Sequence, residues 1–245
     1  MFENRFENRT IYRQQHRKKG LTSFEITVQE TNLHIQAQTD LSGRAVQAVQ
    51  HCRHQIEAYI QQHPDFADAL VPVPVPDTAP RVIQEMAQAA KMAKVGPMAA
   101  VAGAVARTCG QHLLRWSSEV IVENGGDIFV CSKTDTIFTI FAGTSPLSLT
   151  TGIQVPRQDS AFGVCTSSGT FGHSKSFGNA DAVMVMAPSC LLADAAATAL
   201  ANQVRTGDDI PETLEAGKAI PGIKGLVIIL GSRIGLWGNL KLVRL

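Results

Sequence analysis

The stretch "EVIVENGGDIFVCS", Glu119–Ser132, decides the fold. Two apolar runs flank Asn124, Gly125 and Gly126, and an Asn-Gly step between such runs favours a two-residue hairpin turn. The segment therefore reads as strand, tight turn, strand. Immediately upstream, "PMAAVAGAVARTCGQHLL" (Pro97–Leu114) is dense in Ala and Gly and has almost no polar face before Arg107. A helix that is apolar all round is a buried helix, and its small residues allow close backbone approach. Nearer the N-terminus, "SFEITVQETNLHIQAQ" (Ser23–Gln38) alternates in the manner of a strand pair around a break at Glu30–Asn32. A helix then starts near Ser42, carries Val46, Val49, Ile56, Tyr59 and Ile60 on one face, and ends at Pro64. "LVPVPVPDTAP" (Leu70–Pro80) is a stiff extended connector, because closely spaced prolines suit neither a helix nor a central strand. Helical patterning resumes with Thr78 as candidate N-cap and Pro80 in the first turn, and runs to about Lys94.

The second half repeats this order. Strand-like runs at Thr136–Phe141 and Ala182–Met186 precede a long apolar helix, about Cys190–Val204, and a short helix at Pro211–Ala216. The chain closes with "GLVIILGSRIGLWGNLKLVRL", strands broken by Gly231, Gly235 and Gly238. The expected fold class is α+β: a tandem duplication with helices packed on antiparallel sheets. A basic arm, 1–20, would precede a single domain, 21–245, made of two pseudo-repeats of about 21–133 and 134–245.

Composition narrows the function classes. With 22 basic against 21 acidic side chains the chain lacks the electrostatic footprint of a nucleic-acid binder. Only the arm is locally basic (Arg13, Arg17, Lys18 and Lys19, around His16), and such a run reads as a solvated tail. The N-terminus has no apolar signal-peptide core, and no run approaches the roughly 20 apolar residues that span a bilayer. The cysteines, Cys52, Cys109, Cys131, Cys165 and Cys190, form no C-x-x-C pair, so neither a zinc site nor a disulfide framework is indicated. A cytoplasmic location is expected.

Two constellations could carry chemistry. Asp194 sits in "SCLLADAAATALANQV", otherwise built of Leu, Ala and Val, with Thr198 and Asn202 following at intervals of four on one stripe. An unpaired buried carboxylate is costly, so Asp194 should meet a cation, a metal or several donors. With Ser189 as N-cap, it lies beyond the first turn, where the helix dipole helps little. The bland alternative is a structural hydrogen-bond stripe, with Thr198 bonding back to the Asp194 carbonyl. The second constellation, "CTSSGTFGHSKSFG" (Cys165–Gly178), combines glycines, hydroxyls, His173 and Lys175, with no Asp or Glu from Ser160 to Ala180. Such a loop suits an anion or phosphate, although it matches neither the Walker nor the dinucleotide fingerprint. An ordinary connection fits the composition equally well. Cys165 and His173 invite a nucleophile reading, against which stands the small buried role common for cysteine.

Taken together, "VGPMAAVAGAVA", "EVIVENGGDIFV", "GVCTSSGTFGHSKSFGNADAV" and "LADAAATALANQV" resemble the ApbE-like family, closest to its short branch found in anaerobes, from Leu21 to the C-terminus. The parent family consists of Mg²⁺-dependent FAD:protein FMN transferases, which split FAD and attach FMN through its phosphate to a partner protein. The resemblance implies tandem T-fold-like units and places Mg²⁺ on Asp194 and Thr198. It implies a flavin, FAD or FMN, against Asn124, Gly125, Gly126 and Asp127 of the hairpin and against Thr166, Ser167, Ser168, Gly169 and Ser174 of the loop. His173 matches the parent's histidine after that loop and, with Asp194, would be catalytic. Two departures weigh against transfer in the parent's sense. The A-K-G segment appears as Val101, Ala102 and Gly103, with Ala102 in place of the lysine, and D-P-R-T-G is replaced by "GHSKSFG" (Gly172–Gly178). The branch is associated with sulfide assimilation and homocysteine formation, which implies a protein partner in sulfur metabolism. Three readings stand: a Mg²⁺-dependent enzyme acting on a phosphate-bearing ligand, a flavin or phosphometabolite binder without turnover, and an assembly partner.

Overall fold

The computed structural model describes Arg13, residues 18–169 and residues 178–245. The alternating N-terminal segment forms β1 (Thr22–Val28) and β2 (Thr31–Ala37), antiparallel around a turn at Gln29 and Glu30. Helix α1 (Ser42–Gln62) follows, then one turn of helix, α2 (Asp65–Asp68). The proline connector leads without regular structure to α3 (Arg81–Ala93), which starts after Pro80 and has no side-chain cap, so Thr78 does not cap it. The alanine-rich segment opens as a short 3₁₀ turn (Pro97–Ala100) and continues as α4 (Val101–Leu113). Then comes the deciding hairpin, β3 (Val120–Asn124) and β4 (Asp127–Cys131). Its turn is Gly125–Gly126, with φ +68° and +112°, left-handed backbone that glycine adopts without strain.

The second half supplies β5 (Thr136–Thr139), β6 (Thr151–Val155), β7 (Phe162–Ser167), β8 (Ala182–Ala187) and α5 (Cys190–Ala201). It continues with α6 (Ile210–Lys218), β9 (Gly225–Leu230), β10 (Arg233–Gly238) and β11 (Lys241–Arg244). Eight strands form one antiparallel sheet in the order β1-β2-β3-β4-β7-β8-β9-β10, and the other three form a small sheet, β11-β6-β5. Two runs of strand, strand, helices, strand, strand thus lie side by side in one sheet, and the hairpins β3–β4 and β9–β10 close each run.

The large sheet is covered on both faces, which is why its central strands are apolar without alternation. Toward the helices, Val122, Phe129, Cys165, Val185 and Leu226 pack with α1, α3, α4 and α5. Toward the small sheet, Ile121, Ile128, Val164, Met184 and Ile229 pack against Phe138 and Ile153. Successive strand residues therefore serve different cores. Glu123 faces the small sheet, whereas Asn124 and Asp127 face the helices. Two expectations are corrected. Thr166 and Ser167 belong to strand β7, not to a loop. Arg13 is not part of a solvated tail: it is 6% exposed and ion-paired with Glu123.

Candidate functional site

Helix α5 positions Asp194. Ser189 caps it, accepting a hydrogen bond from the Leu192 N–H at 3.3 Å. The helix lies along β7: a Cβ on Gly163 would strike the Cys190 backbone, and one on Gly178 would strike the Ala201 carbonyl. The next contact after Gly163 is Cys165, whose thiol donates to the Cys190 carbonyl at 3.3 Å and lies 3.6 Å from the Cys190 sulfur. From Gly163 to Ser167 is about 13 Å of strand, and from Cys190 to Thr198 about 12 Å of helix. Ser167 shares the helix-facing side of β7 with Gly163 and Cys165, and Thr198 lies two turns along α5 from Cys190.

Helix α4 reaches the same point with its N-terminus. Its N-cap position, Ala100, has no side chain to offer, and the missing cap comes from Asp194, whose Oδ2 accepts the Gly103 N–H at 2.8 Å. Gly103 permits this approach, since a Cβ there would fall 2.6 Å from the Cys190 carbonyl oxygen and 3.0 Å from Asp194 Cβ. Asn124 fixes the helix start from the hairpin side, donating from Nδ2 to the Ala102 carbonyl at 3.1 Å.

Two buried carboxyl groups thus converge, Asp194 from α5 and Asp127 from β4, and neither forms an ion pair among the described residues. Burial pushes the Asp194 carboxyl well above the ordinary aspartate range, and the nearby Asp127 pushes it further. The amides of Gly103 and Ala102 pull it back only in part. Asp127 is raised too, first by burial and then by Cys190 and Glu123, against hydrogen bonds from Cys165 and the Thr166 amide. Ser167 adds a buried polar group: its hydroxyl has no hydrogen-bond partner among the described residues.

The other sequence candidates divide. Thr198 is half-buried one turn beyond Asp194, and Asn202 ends that helix. The amides of Thr166 and Gly169 are already used, donating to the Gly126 carbonyl at 3.1 Å and to the Ala180 carbonyl at 2.8 Å. A Cβ on Gly169 would overlap the Gly178 carbonyl, so its smallness serves the closure of the loop base. His173 and Ser174 lie outside the described residues. Cys165 is fully buried, and burial with the adjoining Cys190 thiol drives its pKa well up, which makes it a poor nucleophile. Sequence reasoning missed Cys190 and Glu123. Neither carries a local signal, and both join the site through contacts made only on folding.

A large antiparallel sheet with helices on one face and a small sheet on the other places the chain in the α+β class. The family model described as AbpE bacteria matches residues 13–236, and the chain belongs to that family. UPF0280 proteins are similar along most of their length. The one from Methanococcus aeolicus is 36% identical over 222 residues, covering 88% of this chain and 90% of the relative. The one from Methanocaldococcus jannaschii is 39% identical over 223 residues, with the same coverage of 88% and 90%. Among solved structures, the flavinyl transferase ApbE of Pseudomonas stutzeri has the same fold, with TM-score 0.52 at 14% identity over 89% of this chain and 93% of that one. The ApbE protein of Thermotoga maritima agrees, with TM-score 0.52 at 13% identity over 88% and 96%.

Proposed function

We propose that this protein binds a phosphate-bearing flavin, FAD or FMN, through a divalent cation held at Asp194 and Thr198. The observation that carries the reading is the pair of buried carboxyl groups, Asp127 and Asp194, with no cation paired to them among the described residues, together with the Ser167 hydroxyl, buried and without a partner among the same residues. Two like charges out of water demand a proton or a cation between them. Hard oxygen donors suit Mg²⁺, the ion the resemblance implies. No group of three or more His, Cys, Asp or Glu side chains able to hold a metal occurs among the described residues. That fits an ion which takes one or two carboxylates and completes its shell with waters and ligand phosphate. There the ion would neutralise phosphate charge and act as Lewis acid. The Asp194 carboxylate, already accepting from the Gly103 amide, would share the ion with the Thr198 hydroxyl, while the hairpin and the end of β7 would wall the ligand.

Binding is the core of this reading and transfer the further step, because Ala102 stands where the parent family has lysine. The association with sulfide assimilation that the resemblance implies adds no residue to the site. A second reading has its own observation: Asp194 as a structural cap for α4, given the 2.8 Å bond from Gly103. Thermal melting of wild type and Asp194→Asn, with and without Mg²⁺ and FAD, separates the two. A site predicts stabilisation of the wild type by Mg²⁺ and FAD together, lost in the variant. Melting of the wild type that ignores both additions leaves only the cap.

A further inference from the structure

Glu123 lies on the face of the sheet away from the helices, yet its carboxylate holds the turn that borders the candidate site. Oε1 accepts the Gly126 N–H at 3.1 Å, and Oε2 accepts from Arg13 Nε at 2.7 Å. Both side chains are 7% exposed. Arg13 also donates to the Asn32 side-chain oxygen at 2.7 Å and pairs with Glu25 at 3.2 Å, so its guanidinium is anchored to the β1–β2 hairpin. On the other edge of the same residue, the Gly126 carbonyl accepts the Thr166 N–H at 3.1 Å. Gly126 has no side chain to fix its own orientation, and its φ of +112° lies in backbone space that glycine crosses freely. Its orientation is set by those two bonds. The next residue is Asp127, and the residue after Thr166 is Ser167.

We infer that Arg13 and Glu123 are positioning residues, which fix the Gly125–Gly126 turn from the far side of the sheet and through it the placement of Asp127 and Thr166. The inference deepens the ligand-site reading of Asp127, Asp194 and Ser167 and rests on it for its purpose. A carboxylate clamped by a guanidinium presents its second oxygen in one direction, and charge-assisted hydrogen bonds are shorter and stronger than neutral ones. The match to the family model begins at residue 13, so the Arg13 end of the clamp lies inside the matched unit.

Amide exchange measured by NMR on the ligand-free protein tests the clamp without reference to any ligand. In Arg13→Met with Glu123→Gln the charges are gone but the amide oxygen still accepts from Gly126. In Arg13→Met with Glu123→Leu nothing accepts. The first pair, with a neutral acceptor and no guanidinium to aim it, should exchange Gly126 and Thr166 about three- to tenfold faster than wild type. The second should exchange both at least about thirtyfold faster, while β8 and β9 amides stay unchanged. Wild-type protection in the first pair removes Arg13 from the clamp. Equal protection of Gly126 and Thr166 in the two proteins overturns the inference. Should the leucine protein fail to fold, Glu123→Gln alone decides. Its Gly126 amide proton should move upfield as the acceptor loses charge, and an unmoved resonance overturns the clamp. With Mg²⁺ and FAD added, the leucine protein should need at least tenfold more FAD than the glutamine protein for half-maximal thermal stabilisation. A wild type that ignores Mg²⁺ and FAD sinks the ligand reading, and the exchange comparison still judges the clamp separately.

Discussion

Glu123 and Asp127 stand at the tip of one hairpin, separated by Asn124, Gly125 and Gly126, and both are acidic and buried, yet the sheet sends them into opposite environments. Glu123 faces the small sheet and meets Arg13 at 2.7 Å. Asp127 faces the helices with no cation paired to it among the described residues, and burial, then the Cys190 thiol, drives its pKa up. The difference teaches that burial alone does not define a site. A buried carboxylate with its counter-ion built in is a structural device, whereas one whose nearest charged neighbour is another carboxylate is incomplete without a proton or a ligand.

That contrast can be broken first at Arg13. Arg13→Met leaves Glu123 buried and unpaired, and should cost about 3–5 kcal/mol in denaturant unfolding. A cost within the ordinary surface range would show that the pair is not buried in solution. On the other face, the expected effect comes from adding a charge. Mg²⁺ with FAD at a hundredfold excess over the dissociation constant should stabilise the wild type by about 2.7 kcal/mol. Asp127→Asn should weaken that response at least tenfold if both carboxyls face the ion, and an intact response would restrict the site to Asp194.

Acid titration sharpens the comparison in the absence of metal. Asp127 and Asp194 have raised pKa values in the folded protein, against about 3.9 in an unfolded chain. Between those limits the folded state holds more protons, so their stabilisation is fully present below about pH 4 and is lost as pH rises through the folded values. In chelator-treated buffer, unfolding free energy should therefore fall with rising pH, by up to about 1.4 kcal/mol per pH unit for each retained proton. Asp127→Asn should flatten the slope, and an equal slope in the variant would remove Asp127 from the pair. The smallest effect belongs to Ser167→Ala. Since the hydroxyl has no partner among the described residues, its loss should change ligand-free stability by no more than about 1 kcal/mol, in either direction. A loss of several kcal/mol would reveal a partner already in place.

We propose that the two strand–helix–strand runs are pseudo-repeats, about 21–133 and 134–245, as the order in the sheet suggests. Superposing β1–β4 with its helices on β7–β10 with its helices tests this, and a fit that fails to bring α4 onto α6 or α3 onto α5 would count against it.

Much of this architecture was legible. Asn124 to Gly126 between apolar runs announced the central hairpin, the alanine-rich run announced α4, and Ser189 before an apolar helix announced α5. The small sheet was legible only in part: β5 falls in the strand-like run Thr136–Phe141 and β11 in the closing strands, whereas β6 and the pairing of the three were hidden. β6 and β11 are short, and "TGIQV" carries a glycine where a strand pattern should be strongest, because Gly152 lies under Ile137, Val243 and Leu245. The burial of Arg13 was equally hidden: its partner Glu123 stands 110 residues away, and local composition pointed to solvent.

The sequence by itself determined which residues are costly to bury, Asp194 above all, since a carboxylate in a helix of Leu and Ala needs an answer wherever that helix packs. Only the tertiary structure decided what answers it. The Gly103 amide, Asp127 and the Cys165 thiol reach Asp194 from three other elements, and the pleat of one hairpin decided that Glu123 would find an arginine while Asp127 would find a second acid. Local propensity sets the elements, but a charge is satisfied or left incomplete by groups brought near in space, and that proximity exists only in the folded chain.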